Sequence, residues 1–215
     1  MKLNKYIEHT LLKQDATKSE LIKLLDEAKK YNFLGVCINP ANISFAKDYL
    51  KNTDIKIVTV VGFPLGQNTT ETKILETIDA IKNGADEIDM VINVAKLKDK
   101  EFDYIIQEIN KIKIASQDKI LKVIIETDLL TQDEIKQACK LCIAGKADFV
   151  KTSTGFVKNG VGAKTENIKL MHETVKNAGL NVKASGGVRD KETALKMIEA
   201  GATRIGTSSG VNICS

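Results

Sequence analysis

Several things are scarce in this 215-residue chain. His9 and His172 are its only histidines, and Arg189 and Arg204 its only arginines. With so few imidazoles, a catalytic metal site of the usual nitrogen-rich kind is not expected, and no metal or cofactor is assigned. Aromatic residues make up 5% of the chain, too few for a base-stacking platform. The net charge is +4, but its lysines are spread over expected helix faces rather than gathered in a block, so no nucleic-acid partner is expected. No apolar run reaches the roughly 18 residues of a membrane-spanning helix. The opening "MKLNKYIEHTLLKQ" lacks an apolar core and a small-residue cleavage site, so a cytoplasmic protein is expected.

Cysteines are few as well. Cys37, Cys139, Cys142 and Cys214 lack a secretory context that would suggest a disulfide framework. Cys139 and Cys142 form a C-x-x-C, but inside the helical pattern "TQDEIKQACKLCIAG" and with no second such pair. Helix packing is the expected role rather than zinc or redox chemistry. A Pro/Ser/Gly-rich linker is also absent, so residues 1–215 are read as one domain.

What is present is a repeated unit of helix, glycine and short apolar strand. "ILETIDAIKNG" leads to "ADEIDMVIN", "IKQACKLCIAG" to "KADFVKTS", "NIKLMHETVKNAG" to "LNVKASGG", and "TALKMIEAG" to "ATRIGTSS". Gly84, Gly145, Gly179 and Gly201 stand where a helix C-terminus takes a left-handed residue. Thr17 with Glu20, and Thr131 with Glu134, fit the capping box at helix starts. Eight strands are expected: "IEHTLL", "GVCIN", "IKIVTVVGF", "EIDMVIN", "LKVIIET", "DFVKTS", "NVKASG" and "TRIGTS". Strands alternating with helices imply a parallel sheet covered by helices. Eight units suit an α/β fold of the (β/α)8 barrel type, with an open doubly wound sheet as the rival. No G-x-G-x-x-G follows the first convincing strand, which disfavours the dinucleotide-binding version.

Polar residues inside the apolar runs mark the candidate site. Asp89 falls in strand four, Lys122 in strand five, Lys151 in strand six and Lys183 in strand seven. Lysine is almost never fully buried without a partner or a use. Lys151 and Lys183, on neighbouring strands, are expected to face each other. Two ammonium groups in a low dielectric disfavour double protonation, so the pKa of one is expected to fall. Such an amine can form a Schiff base with a carbonyl, and Asp89 can move protons. The plainer alternative is an ion network that fills a barrel interior.

"ASGGVRD" and "IGTSSGV" end strands seven and eight, a frequent phosphate position in barrels, although "SGG" alone could be a turn. "VVGFPLG" ends strand three, where Pro64 and Gly66 shape a turn or a pocket wall. His172 is expected on a helix surface.

Taken together, "EHTLLK", "GVCINP", "TVVGFPLG", "GADEIDMVIN", "LKVIIET", "DFVKTSTGF", "KASGGVRD" and "RIGTSSG" resemble the deoxyribose-phosphate aldolase family of class I aldolases, over essentially the whole chain. The resemblance implies reversible cleavage of 2-deoxy-D-ribose 5-phosphate to D-glyceraldehyde 3-phosphate and acetaldehyde, in deoxyribose phosphate catabolism. It implies Lys151 as the Schiff-base lysine, Lys183 as the lysine that tunes it, and Asp89 as a proton relay. It also implies Gly155, Gly186, Gly187, Ser208 and Ser209 around substrate and phosphate, and Cys37 lining the pocket. The expected partners are small phosphorylated sugars and aldehydes, and the expected assembly is a homodimer or homotetramer. Two rivals stay open: a transaldolase-like barrel enzyme, and a phosphosugar-binding protein without turnover. The chain departs from the family pattern at Glu8, where the first strand usually carries aspartate, and at Lys164, where the loop after Lys151 usually has threonine. A short or absent final helix is expected.

Overall fold

A computed structural model of the chain describes residues 2–215. Its strands are β1 Ile7–Leu11, β2 Gly35–Ile38, β3 Lys56–Val61, β4 Glu87–Val91, β5 Ile120–Ile124, β6 Phe149–Lys151, β7 Asn181–Ser185 and β8 Arg204–Thr207. They pair in chain order, all parallel, and β8 closes on β1 to complete a barrel. The helices are α1 Lys18–Tyr31, α2 Ile43–Tyr49, α3 Thr70–Asn83, α4 Val94–Lys98, α5 Phe102–Ala115, α6 Gln132–Ala144, α7 Thr165–Val175, α8 Lys191–Glu199 and α9 Gly210–Cys214. The final helix is indeed short, with five residues. The open doubly wound alternative is excluded by closure of the sheet.

Local signals explain most helix boundaries. Thr17 and Thr131 accept hydrogen bonds from the backbone N–H groups of Glu20 and Glu134, whose carboxylates reach back to complete both capping boxes. Gly84, Gly179 and Gly201 take the expected left-handed conformation. Gly145 does not: Lys146 makes the left-handed turn, at φ 64°. Gly145 is needed for space, because a Cβ there would stand 2.6 Å from the Ile109 side chain on α5.

Side-chain alternation separates two interiors. Outward-facing strand residues such as Val36, Ile88, Val123, Val150 and Val182 pack under the helices in one continuous core. Each fully buried aliphatic side chain there contributes on the order of 1.5–3 kcal/mol. Cys139 and Cys142 belong to this core, as the helical pattern suggests. The barrel lumen is divided. Toward β2 and β3 it is apolar, with Leu12, Cys37, Val58 and Val60 against Phe63. Its other side is charged.

Candidate active site

The charged half of the lumen is built by strand register. Asp89 on β4 pairs with Lys122 on β5, and Lys151 on β6 pairs with Lys183 on β7. Asp89 is fully buried and its carboxylate joins all three lysines. Oδ2 accepts from Lys151 Nζ at 2.8 Å and from Lys183 Nζ at 2.6 Å, while Oδ1 accepts from Lys122 Nζ at 3.0 Å. Glu8 on β1 closes the ring by accepting from Lys183. Below them, Lys122 Nζ lies 2.5 Å from Glu87 Oε2 and 3.5 Å from Glu8 Oε1. Arg204 Nε on β8 lies 3.5 Å from Glu8 Oε1.

Gly206 leaves the room this requires. A Cβ at that position would stand 3.0 Å from Lys183 Cε and 3.3 Å from Ser185 Cβ.

Burial and charge act against each other in this cluster. Burial alone would raise the Asp89 carboxyl, but Lys122, Lys151 and Lys183 outweigh it and hold the group well below the usual carboxylate range. Glu8 is likewise lowered, because Lys122 and Lys183 overcome its desolvation. Burial pulls the Lys183 ammonium down, yet Asp89 and Glu8 carry it above its ordinary value. The depression expected from a neighbouring lysine therefore does not apply to Lys183. Two carboxylates stand against it, and they dominate the like charge.

Of the three lysines, Lys151 is the one with exposed surface. It lines a cavity of about 380 Å³ at the C-terminal ends of the strands. Asp89 and Lys183 lie beneath it with no exposed surface. Gly155, Gly186, Gly187 and Ser208 line the same cavity, so four of the expected substrate and phosphate positions meet Lys151 there. Gly186 and Gly187 both have positive φ, near 78°, which turns the backbone after β7 into the cavity wall. Their close packing adds to the demand: a Cβ on Gly187 would meet the Val161 carbonyl at 2.4 Å.

Ser209 and Cys37 are placed elsewhere. Ser209 is not among the cavity walls, and its backbone N–H donates to Thr207 Oγ1 at 2.9 Å. Cys37 is fully buried in the apolar half of the lumen, and burial pushes its thiol up.

Against this geometry stands a match of residues 3–215 to the family model described as DeoC/LacD family aldolase. The chain belongs to the DeoC/LacD aldolase family. It is 55% identical to the deoxyribose-phosphate aldolase of Enterococcus faecalis, covering 100% of this chain and 97% of that one. It is 54% identical to deoxyribose-phosphate aldolase 1 of Staphylococcus aureus strain MRSA252, covering 99% and 96%. Among solved structures, the deoxyribose phosphate aldolase of Aeropyrum pernix superposes with a TM-score of 0.88 at 30% identity, covering 99% of this chain and 89% of that one.

Some features of this aldolase's site were not assigned from sequence. Arg189 and Lys13 also line the Lys151 cavity, with Lys13 Nζ paired to Glu20 Oε1 at 2.6 Å. Arg189 sits inside "ASGGVRD", and its rarity in the chain was the available signal. Glu126 falls inside the expected strand "LKVIIET". Instead β5 stops at Ile124, and Glu126 turns left-handed at φ 59°. Its carboxylate accepts from the Thr154 hydroxyl and backbone N–H, fixing the loop after Lys151. Burial raises the Glu126 pKa despite those bonds. A second, apolar recess of about 590 Å³ lies beside the first, sharing Thr154 and Phe156 with it, and Pro64 forms part of its wall. His172 lies on α7, as expected. It is half-buried, and a Cβ on Gly201 would meet its ring at 2.4 Å.

Proposed function

We propose that the chain catalyses reversible cleavage of 2-deoxy-D-ribose 5-phosphate to D-glyceraldehyde 3-phosphate and acetaldehyde, as a class I aldolase-type lyase. The observation that carries this reading is the single oxygen, Asp89 Oδ2, shared by Lys151 at the cavity floor and Lys183 beneath it. The names of the full-length relatives supply the substrate.

Lys151 attacks the open-chain substrate aldehyde as a free amine, and the carbinolamine loses water to give an iminium. The C3 hydroxyl then gives up its proton, and the C2–C3 bonding pair moves to the iminium. Glyceraldehyde 3-phosphate leaves, and an enamine stays on Lys151. Protonation of that enamine carbon and hydrolysis release acetaldehyde and the free amine. The electron sink is the iminium itself. Asp89 and water relay the proton between the C3 oxygen and the enamine carbon, and Lys183 holds Asp89 in place as a carboxylate.

Gly155, Gly186, Gly187 and Ser208 surround the substrate's phosphate end, with Arg189 and Lys13 as counter-charges. Ser209 starts α9 and acts by shaping this segment, while Cys37 packs behind the reacting carbons. The barrel is the catalytic domain, working in the cytoplasm. It assembles as a homodimer or homotetramer; the Aeropyrum pernix relative is described as tetrameric. Incubation with 2-deoxy-D-ribose 5-phosphate tests the activity. Both aldehydes are expected from the wild type and neither from Lys151→Ala; a wild type that yields neither would overturn the reading.

A further inference from the structure

Beneath the reacting lysine lies a cluster of ion pairs. Glu8, Glu87 and Asp89 face Lys122, Lys151, Lys183 and Arg204, and Glu126 adds a further carboxyl group near Lys151. Glu8, Asp89, Lys122 and Lys183 have no exposed surface, while the Arg204 side chain keeps 20% of its own. Charge among the buried members is weakly screened, so adding or removing one charge there changes how readily the cluster gives up a proton.

Lys122 is central to that arrangement. Its Nζ contacts all three carboxylates, at 2.5 Å from Glu87, 3.0 Å from Asp89 and 3.5 Å from Glu8. It is not among the walls of the Lys151 cavity. Its bond to Asp89 uses Oδ1, which leaves Oδ2 turned toward Lys151 and Lys183. We propose that Lys122 is a positioning residue for the reaction: it orients Asp89 through Oδ1 and sets a fixed, buried positive charge against which the cluster releases a proton.

Burial pulls the Lys122 ammonium down, but Asp89, Glu8 and Glu87 outweigh burial and Lys183 and raise it above its ordinary value. Lys122 therefore stays charged while Lys151 cycles between amine, iminium and enamine. Its catalytic consequence rests on the aldolase reading of the preceding subsection. Its electrostatic effect on Lys151 does not.

The probe is acetaldehyde with cyanoborohydride, followed at the Lys151 peptide by mass mapping from about pH 6 to about pH 10. Lys122→Met removes a positive charge, and the midpoint of labelling is expected to rise by about one pH unit, equivalent to tenfold slower labelling below it. Glu87→Gln removes a negative charge and is expected to lower the midpoint. Lys122→Arg keeps the charge and holds the wild-type value. In turnover, Lys122→Met lowers kcat about tenfold near pH 7 with KM little changed. Coincident midpoints for folded wild type, Lys122→Met and Glu87→Gln would overturn the proposal. If Lys122→Met does not fold, Glu87→Gln decides, by a lower midpoint or an unchanged one. A wild type that cleaves no 2-deoxy-D-ribose 5-phosphate would remove the proposed function, and the labelling midpoints would still decide the role of Lys122.

Discussion

Lys151 Nζ lies 2.8 Å from Asp89 Oδ2 across 62 residues of sequence, at the boundary between the cavity and the buried charge cluster. In the proposed reaction the pairing gives Lys151 a proton acceptor that substrate does not have to displace. It also ties Lys151 to Lys183 through one oxygen. Asp89→Asn keeps the shape and removes the charge. Turnover is expected to fall by about 10²- to 10⁴-fold, the range of a lost proton-transfer group. Stability is expected to fall by about 3–5 kcal/mol, because buried lysines lose a counter-ion. Steady-state kinetics and denaturant unfolding check the two effects separately.

The turn after β7 makes a different prediction. Gly187 has φ 77°, and a Cβ there would meet the Val161 carbonyl. Gly187→Ala is expected to raise KM for the phosphorylated substrate about tenfold or more, because the turn must open at the proposed phosphate position. Trapping of acetaldehyde on Lys151, which needs no phosphate contact, is expected to stay near the wild-type rate. Comparing the two on one preparation separates phosphate recognition from the lysine chemistry.

Stability should depend on pH at both extremes. Asp89 and Glu8 are held below their ordinary values in the folded chain, so they stabilise it above about pH 4 and that contribution is lost as pH falls below this. Lys122 and Lys183 are raised, so their contribution is complete below about pH 10.4 and is lost as pH climbs past it. Denaturant midpoints are expected to form a plateau between these limits for the wild type. In Glu8→Gln the acid-side loss is expected to shrink.

The barrel was legible because its strands are β-branched runs separated by capped helices and glycines, and such local signals survive folding. Asp89, Lys151 and Lys183 were legible because a charge inside an apolar strand requires a partner or a use. The contact that barrel closure makes was not legible in that way. Closure brings Glu8 to Lys183 across 175 residues, so the first-strand carboxylate joins the cluster only when β8 meets β1. Depth was hidden too: strand position puts Cys37 in the lumen but does not say that Leu12, Val58 and Val60 seal it. Gly145 shows the same limit, since its reason is the Ile109 side chain on another helix.

Borohydride reduction in the presence of 2-deoxy-D-ribose 5-phosphate, with peptide mass mapping, tests the assignment of Lys151 most directly. A reduced adduct on the peptide bearing Lys151, absent from Lys151→Ala, is the expected result. An adduct on Lys183 instead would reverse the two lysines, and no adduct under conditions where substrate binding is demonstrated would contradict Schiff-base chemistry at this site.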